Sequence, residues 1–290
     1  MSRSYRHATA MRRSMAGFSL IELMVAMALG ILVLGAAIAV FQTNQRTYLA
    51  NEGLNRIQES ARVAYEMMTQ DIRSAGSSAC SNEAQVMGTD DTSLAFREPI
   101  SGSATELTLT SADDLSYRVE SAAASSVTLT EDSPSASDIF EADDVVMVCN
   151  AAMTGFVEVA SVTGKVVTFK TSLEFDPSDT TSAAAGSISI ARMRSSTWSV
   201  GTNSRGGNSL FVSRFGGAAV EVAEGVESLA FTYHQTSGGD PSTYSAPTAS
   251  TDFNYVDAVR IAMELQGEDI DGRALERTAA TAVSIRSRTL

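Results

Sequence analysis

From Phe18 to Phe41 the chain carries one charge, Glu22, in a run that is otherwise apolar or small. At ~1.5 Å rise per residue that run makes a helix of roughly 36 Å, and a hydrocarbon core is ~30 Å thick. The chain is therefore expected to start in a membrane. Glu22 is the oddity, because an ionised side chain at mid-bilayer costs ~2.5 kcal/mol or more and is ordinarily kept for a function. Two plain readings of the run are a signal anchor and an export signal removed at the small-x-small step Ala37-Ile38-Ala39. Both leave the glutamate unexplained. Upstream, Arg3, Arg6, Arg12 and Arg13, with no acidic residue before Gly17, place the leader on the cytoplasmic side and the rest of the chain outside the inner membrane. Met11 is a second candidate start and leaves a shorter leader.

Setting the four leader arginines aside leaves 17 of the 21 basic residues against 34 acidic ones. Such a surface repels phosphate backbones, so no nucleic-acid partner is expected. Roughly 210 residues follow the helical region, enough for one good-sized core or two small ones. The two cysteines, Cys80 and Cys149, fall in the part expected to be periplasmic, where disulfides persist; a bridge and a pair of buried free thiols are the two readings.

Beyond the apolar run, Leu54, Ile57, Ala61, Ala64, Met68, Ile72 and Ala75 recur at steps of three and four, while Arg56, Glu59, Arg62, Glu66 and Arg73 take other faces. The spacing predicts an amphipathic continuation of the helix, stopped at Gly76. After Gly76 the period becomes two. Strands are predicted at 105–111, 115–120, 126–130, 144–149, 156–163 and 165–170, with a tight hairpin at Thr163-Gly164-Lys165. A polar loop over 175–186 precedes a second set at 188–194, 209–215, 219–223, 226–235, 256–265 and 282–286. The predicted class is α+β, a long helix followed by an antiparallel β-rich head. Its segments are a leader over 1–17, a membrane and assembly helix over 18–41, an amphipathic helix over 42–76 and a head over 77–290.

The junction Gly17-Phe18-Ser19-Leu20-Ile21-Glu22, followed by a long apolar helix, resembles the class III signal of type IV pilins and type II secretion pseudopilins. The resemblance implies that a prepilin peptidase cuts between Gly17 and Phe18 and methylates the new amine, and that Glu22 then steers assembly. Three further stretches resemble PilW-type minor pilins and, more distantly, J-type minor pseudopilins. They are Gln58-Glu59-Ser60-Ala61-Arg62 leading to Asp71-Ile72-Arg73-Ser74-Ala75-Gly76, then Gly225-Val226-Glu227-Ser228-Leu229 with Val256-Asp257-Ala258-Val259-Arg260-Ile261, and a terminal Thr281-Ala282-Val283-Ser284-Ile285-Arg286. The chain's length favours the minor pilin. The implied role is to prime or cap a type IV pilus, with other minor pilins, the major pilin, the prepilin peptidase, an inner-membrane assembly platform and a tip adhesin as partners. The rival within the family is a minor pseudopilin of a type II secretion system. A rival of another class is a membrane-anchored β domain that binds a ligand or hydrolyses one. The helix lacks the proline common in major pilins, although Gly30 and Gly35 can loosen it at ~1 kcal/mol each relative to alanine.

No catalytic residues, cofactor or metal are expected. His7 lies in the leader, so His234 is the one histidine of the mature chain, in a predicted strand where a structural role is the plainer reading. No Gly-x-Ser-x-Gly, histidine cluster or phosphate-cradling glycine loop appears. Asp269-Ile270-Asp271-Gly272 matches part of a calcium loop but lacks further ligands at the right spacing, so a solvated turn is expected. The stretch 236–254, rich in Gly, Ser, Pro and Thr, is expected to be a long exposed loop.

Overall fold

The computed structural model describes residues 17, 19–81, 84–130, 134–178, 187–236, 240, 242–267 and 274–288. The leader before Gly17, Phe18 and the Asp269-Ile270-Asp271-Gly272 turn lie outside the described residues.

Helix α1 (Leu20–Ser74) begins with the Leu23 N–H donating to the Ser19 carbonyl at 3.2 Å. It stops where the spacing predicts. Gly76 takes a φ of +70°, and its N–H donates to the Thr110 carbonyl at 2.8 Å. A left-handed residue just past the last turn is the usual helix stop, and only glycine adopts it without a Cβ penalty. The chain divides into two compact units between Glu52 and Gly53. In the first, every large apolar side chain from Leu20 to Phe41 is exposed. In the second, α1 buries Ile57, Ala64, Met68 and Ile72, followed by Ala75, on the predicted stripe, with Leu54 and Ala61 half-buried.

The second unit continues with β1 (Gln85–Val86), α2 (Asp91–Arg97), β2 (Ile100–Gly102), β3 (Leu107–Ala123), β4 (Ser126–Leu129), α3 (Ala136–Ile139), β5 (Val145–Cys149), β6 (Met153–Thr163) and β7 (Val166–Phe169). Then come β8 (Ser189–Thr202), β9 (Asn208–Arg214), β10 (Val220–Glu224), β11 (Val226–Gln235), β12 (Val256–Gln266) and β13 (Glu276–Ser284). Strands β3, β8, β5, β6, β7 and β4 pair antiparallel in a cycle, β4 returning to β3. They surround a core that includes Val127, Leu129, Phe140, Val148, Val159 and Phe169. The β9–β10 hairpin extends this sheet from β8, and β2 extends it from β3. The other sheet, in the order β11-β12-β13, shares its core with α1: Ile57, Met68 and Ile72 pack with Trp198, Leu210, Phe231, Ile261 and Met263. The layout is thus a long apolar helix followed by a β-rich, largely antiparallel domain.

Several elements differ from expectation: β1, β2 and α3 have no predicted counterpart, and β8 runs on to Thr202, past the predicted end at 194. Two predicted strands, 105–111 and 115–120, are one strand, β3, because the ladder with β8 passes Asp113 and Asp114 as a register shift between Ala112 and Ser116 and does not end there. Strand β13 starts at Glu276, before the predicted Ala282, since the run Thr278-Ala279-Ala280-Thr281-Ala282 has no apolar alternation to betray it. Helix α2 has no counterpart among the predicted elements; its cap is Asp90, whose Oδ1 accepts from the N–H groups of Thr92 and Ser93, both at 3.0 Å.

Candidate assembly helix and the anchor of the head

Glu22 stands in the first turn of α1, exposed, with Ile21, Leu23, Met24 and Val25 exposed around it. A helix apolar on all sides is made for lipid or for packing among other helices. Within such a wall one carboxylate is the lone group that attracts a cation. Gly17 is exposed upstream, with four residues between it and Glu22, while Phe18 lies outside the described residues. The apolar run closes at Thr43, whose hydroxyl donates to the Ala39 carbonyl at 2.9 Å; Thr47 does the same to Thr43 at 3.0 Å, so neither hydroxyl is left unbonded. Among the described residues α1 is the one helix long and apolar enough to cross a membrane. Gly30 and Gly35 sit within it without breaking it.

At the other end of α1 a buried carboxylate fastens helix to sheet. Asp71 is 7 % exposed and accepts from Trp198 Nε1 at 3.0 Å and Arg194 Nη2 at 3.1 Å, both donors on β8. Arg194 also reaches Asp114 at 3.5 Å and Asp113 at 3.8 Å, so one guanidinium gathers three carboxylates. Sequence reasoning misses Asp71 as a site. The available signal is its spacing, three after Met68 and four before Ala75, which places a charge inside the apolar stripe. Farther back on α1, the Tyr65 hydroxyl donates to the Ala279 carbonyl of β13; partial burial pushes its pKa up to about 12.

Cys80 and Cys149 are joined, with Cα atoms 6.0 Å apart, and tie the segment after α1 to β5. His234, on β11, is 9 % exposed. Its Nδ1 lies 2.5 Å from Asp257 Oδ1, and its ring stands 5.8 Å from that of Tyr244. Its Nε2 has no hydrogen-bond partner among the described residues. Among the described residues no group of three His, Cys, Asp or Glu side chains is placed to hold a metal ion.

Residues 12–38 match the family model described as the prokaryotic N-terminal methylation motif. That motif indicates a type IV pilin or pseudopilin, a class that assembles with other pilins and is handled by prepilin peptidase. The match spans the basic end of the leader, Gly17, Glu22 and most of the apolar run. No curated protein and no solved structure matches the chain.

Proposed function

We propose that this chain is a PilW-type minor pilin that primes a type IV pilus or sits at its tip. The observation that carries the reading is Glu22, the lone charge of an apolar helix, lying with Gly17 inside the stretch that matches the methylation motif. Prepilin peptidase cuts between Gly17 and Phe18, which leaves an ammonium four residues before Glu22 in the sequence. In a bundle of such helices the Glu22 carboxylate meets the amine of a neighbouring subunit, and in that low-dielectric setting opposite charges find each other strongly. The head enters the periplasm and then the cell surface, where it binds other minor pilins and a tip adhesin without catalysing a reaction.

Mass spectrometry of the membrane-extracted protein tests this. The expected mature chain starts at a methylated Phe18. A start at Val40, or an intact leader in cells that contain prepilin peptidase, overturns it. The motif is shared with secretion pseudopilins, so deletion of the gene is the second test: lost surface pili support the minor pilin, and lost secretion with normal pili supports the pseudopilin.

A further inference from the structure

Three of the sheet ends in the head are guarded against further pairing. Strand β10 has a register shift between Glu221 and Ala223, and its Glu221 and Glu224 are tied to Arg205. Strand β2 is three residues long and ends at Gly102. The outer edge of β11 is occupied: Phe231 N–H donates to the Ala104 carbonyl at 2.8 Å, and Tyr233 and Ser245 exchange bonds of 2.9 and 3.0 Å. Bulges, charges, shortness and cover are the usual ways a protein blunts an edge.

Strand β13 carries exposed charge only at its start, Glu276 and Arg277, and from Thr278 onward it has none of them. Its pairing with β12 runs unshifted from Gln266↔Glu276 to Ala258↔Ser284. Two bonds of 2.8 Å, Ile285 N–H to the Asp257 carbonyl and Gly267 N–H to the Leu275 carbonyl, set the phase of the ladder. Odd-numbered residues of β13 therefore bond to β12, and the N–H and C=O groups of Thr278, Ala280, Ala282 and Ser284 point the other way. All four residues are exposed, and neither proline nor charge occurs from Thr278 to Ile285. Among the described residues no hydrogen bond closes that row.

Beside the row lies a cleft of about 1020 Å³, walled by Tyr65, Thr69 and Gln70 of α1 and by Ala280 and Thr281. Tyr65 bonds to Ala279, and Ser287 Oγ donates to the Ala75 carbonyl at 2.7 Å, so helix and strand run alongside in the same sense. Arg73 and Arg286, which also line the cleft, thus gather at its far end, and Glu66 stands near Tyr65 at the other. Asp114 in the same wall is engaged by Gln70 at 3.1 Å and Arg194 at 3.5 Å. We infer that β13 accepts an extended segment of a partner polypeptide as a fourth strand, with an acidic side chain of that segment at Arg73. Main-chain bonds to Thr278–Ser284 supply affinity, and alternate side chains entering the cleft supply selectivity. The inference concerns the head alone and stands apart from the pilin reading.

The probe is a fluorescein-labelled peptide that alternates threonine and valine over the length of Thr278–Ser284 and carries aspartate at both ends. It is titrated against the full chain in detergent. Saturable anisotropy with a Kd below about 1 mM is expected. N-methylating the alternate amides on either edge in turn should abolish binding in one of the two phases, and replacing both aspartates by lysine should weaken it about threefold, as for exposed ion pairs. Ala282→Pro removes only an outward N–H and should lose the peptide. If that variant misfolds, the N-methylated peptides against the unaltered chain still separate strand addition from any other mode of binding. Absence of peptide binding to the folded chain, or equal binding of the unmodified and both N-methylated peptides, overturns the inference. So does a concentration-dependent dimer that Ala282→Pro abolishes, which assigns the edge to a second copy of the chain.

Discussion

Removing the Asp71 carboxylate leaves Trp198 Nε1 and one Arg194 nitrogen without their acceptor inside the head. Breaking a buried pair from one side is costly because the partner's desolvation is no longer offset, so Asp71→Ala should lower stability by about 3 kcal/mol. Asp71→Asn keeps one acceptor and should lose less. Urea unfolding of the full chain in detergent measures both, and an unchanged midpoint for Asp71→Ala would remove the anchor from the account. Tyr65 adds a pH dependence. Its phenol titrates near 12 in the fold against about 10 unfolded, with burial as the leading cause. The folded state therefore holds more protons between those values, so the contribution is whole below pH 10 and is lost as pH rises towards 12. Tyr65→Phe should flatten stability against pH over that window; Tyr233, whose pKa burial also raises, stays and keeps part of the slope. Glu22 differs in kind, since its surroundings within the chain are exposed apolar side chains that need no carboxylate to fold. Glu22→Leu should leave the extracted protein folded and abundant yet unable to restore surface pili in a strain lacking the gene. Normal piliation by that variant at native expression would show that the charge is dispensable for assembly.

The disulfide acts on elements, tying the segment after α1 to β5 across a separation of 69 residues. In the chain-entropy picture a loop of that size contributes roughly 4 kcal/mol at most, because strain and residual unfolded structure reduce it. Cys149→Ser and Cys80→Ser break the same bond, so each should lower the unfolding midpoint equally, and the double variant should be no worse than either. Additive losses would mean that the thiols serve separate packing roles. Strands such as β11 and β12 are legible in the sequence because Leu229, Phe231 and Tyr233, and Val259, Ile261 and Met263, alternate onto one core. The α1 stripe is legible for the same reason at its own period. Period alone carries no partner identity, which is why the cycle through β3, β8, β5, β6, β7 and β4 is not readable: β8 must pair with β3 and β5 at once, across long sequence gaps. Asp71 escapes notice because charge is normally read as surface, and its donors arrive from a strand more than a hundred residues away. In the sequence Gly225 reads only as part of a family stretch. The structure supplies its reason, a φ of +78° at which a Cβ would lie 2.5 Å from the Gln266 carbonyl oxygen.

At the scale of the whole molecule, the packing boundary falls inside α1, since the second unit begins at Gly53 and takes Ile57, Ala64, Met68 and Ile72 into its own core. The helix is thus one element with two solvents to satisfy: its apolar run needs lipid or other helices, and its last turns need the head. Full burial of an aliphatic side chain is worth about 1.5–3 kcal/mol, so Ile57, Met68 and Ile72 together hold roughly 5–9 kcal/mol. That is comparable with the whole net stability of an ordinary domain, about 5–15 kcal/mol. Two truncations should therefore behave differently. A chain starting at Gly53 keeps those side chains, Asp71 and the full second unit while losing the exposed apolar run, and it should be soluble without detergent and melt cooperatively. A chain starting at Ser77 loses the α1 stripe and leaves Trp198 Nε1 without its acceptor, and it should be insoluble or lack the near-ultraviolet circular dichroism of a packed tryptophan. Measuring solubility and thermal melts of both decides the point. Equal stability of the two would mean that α1 rests on the head without contributing to its core.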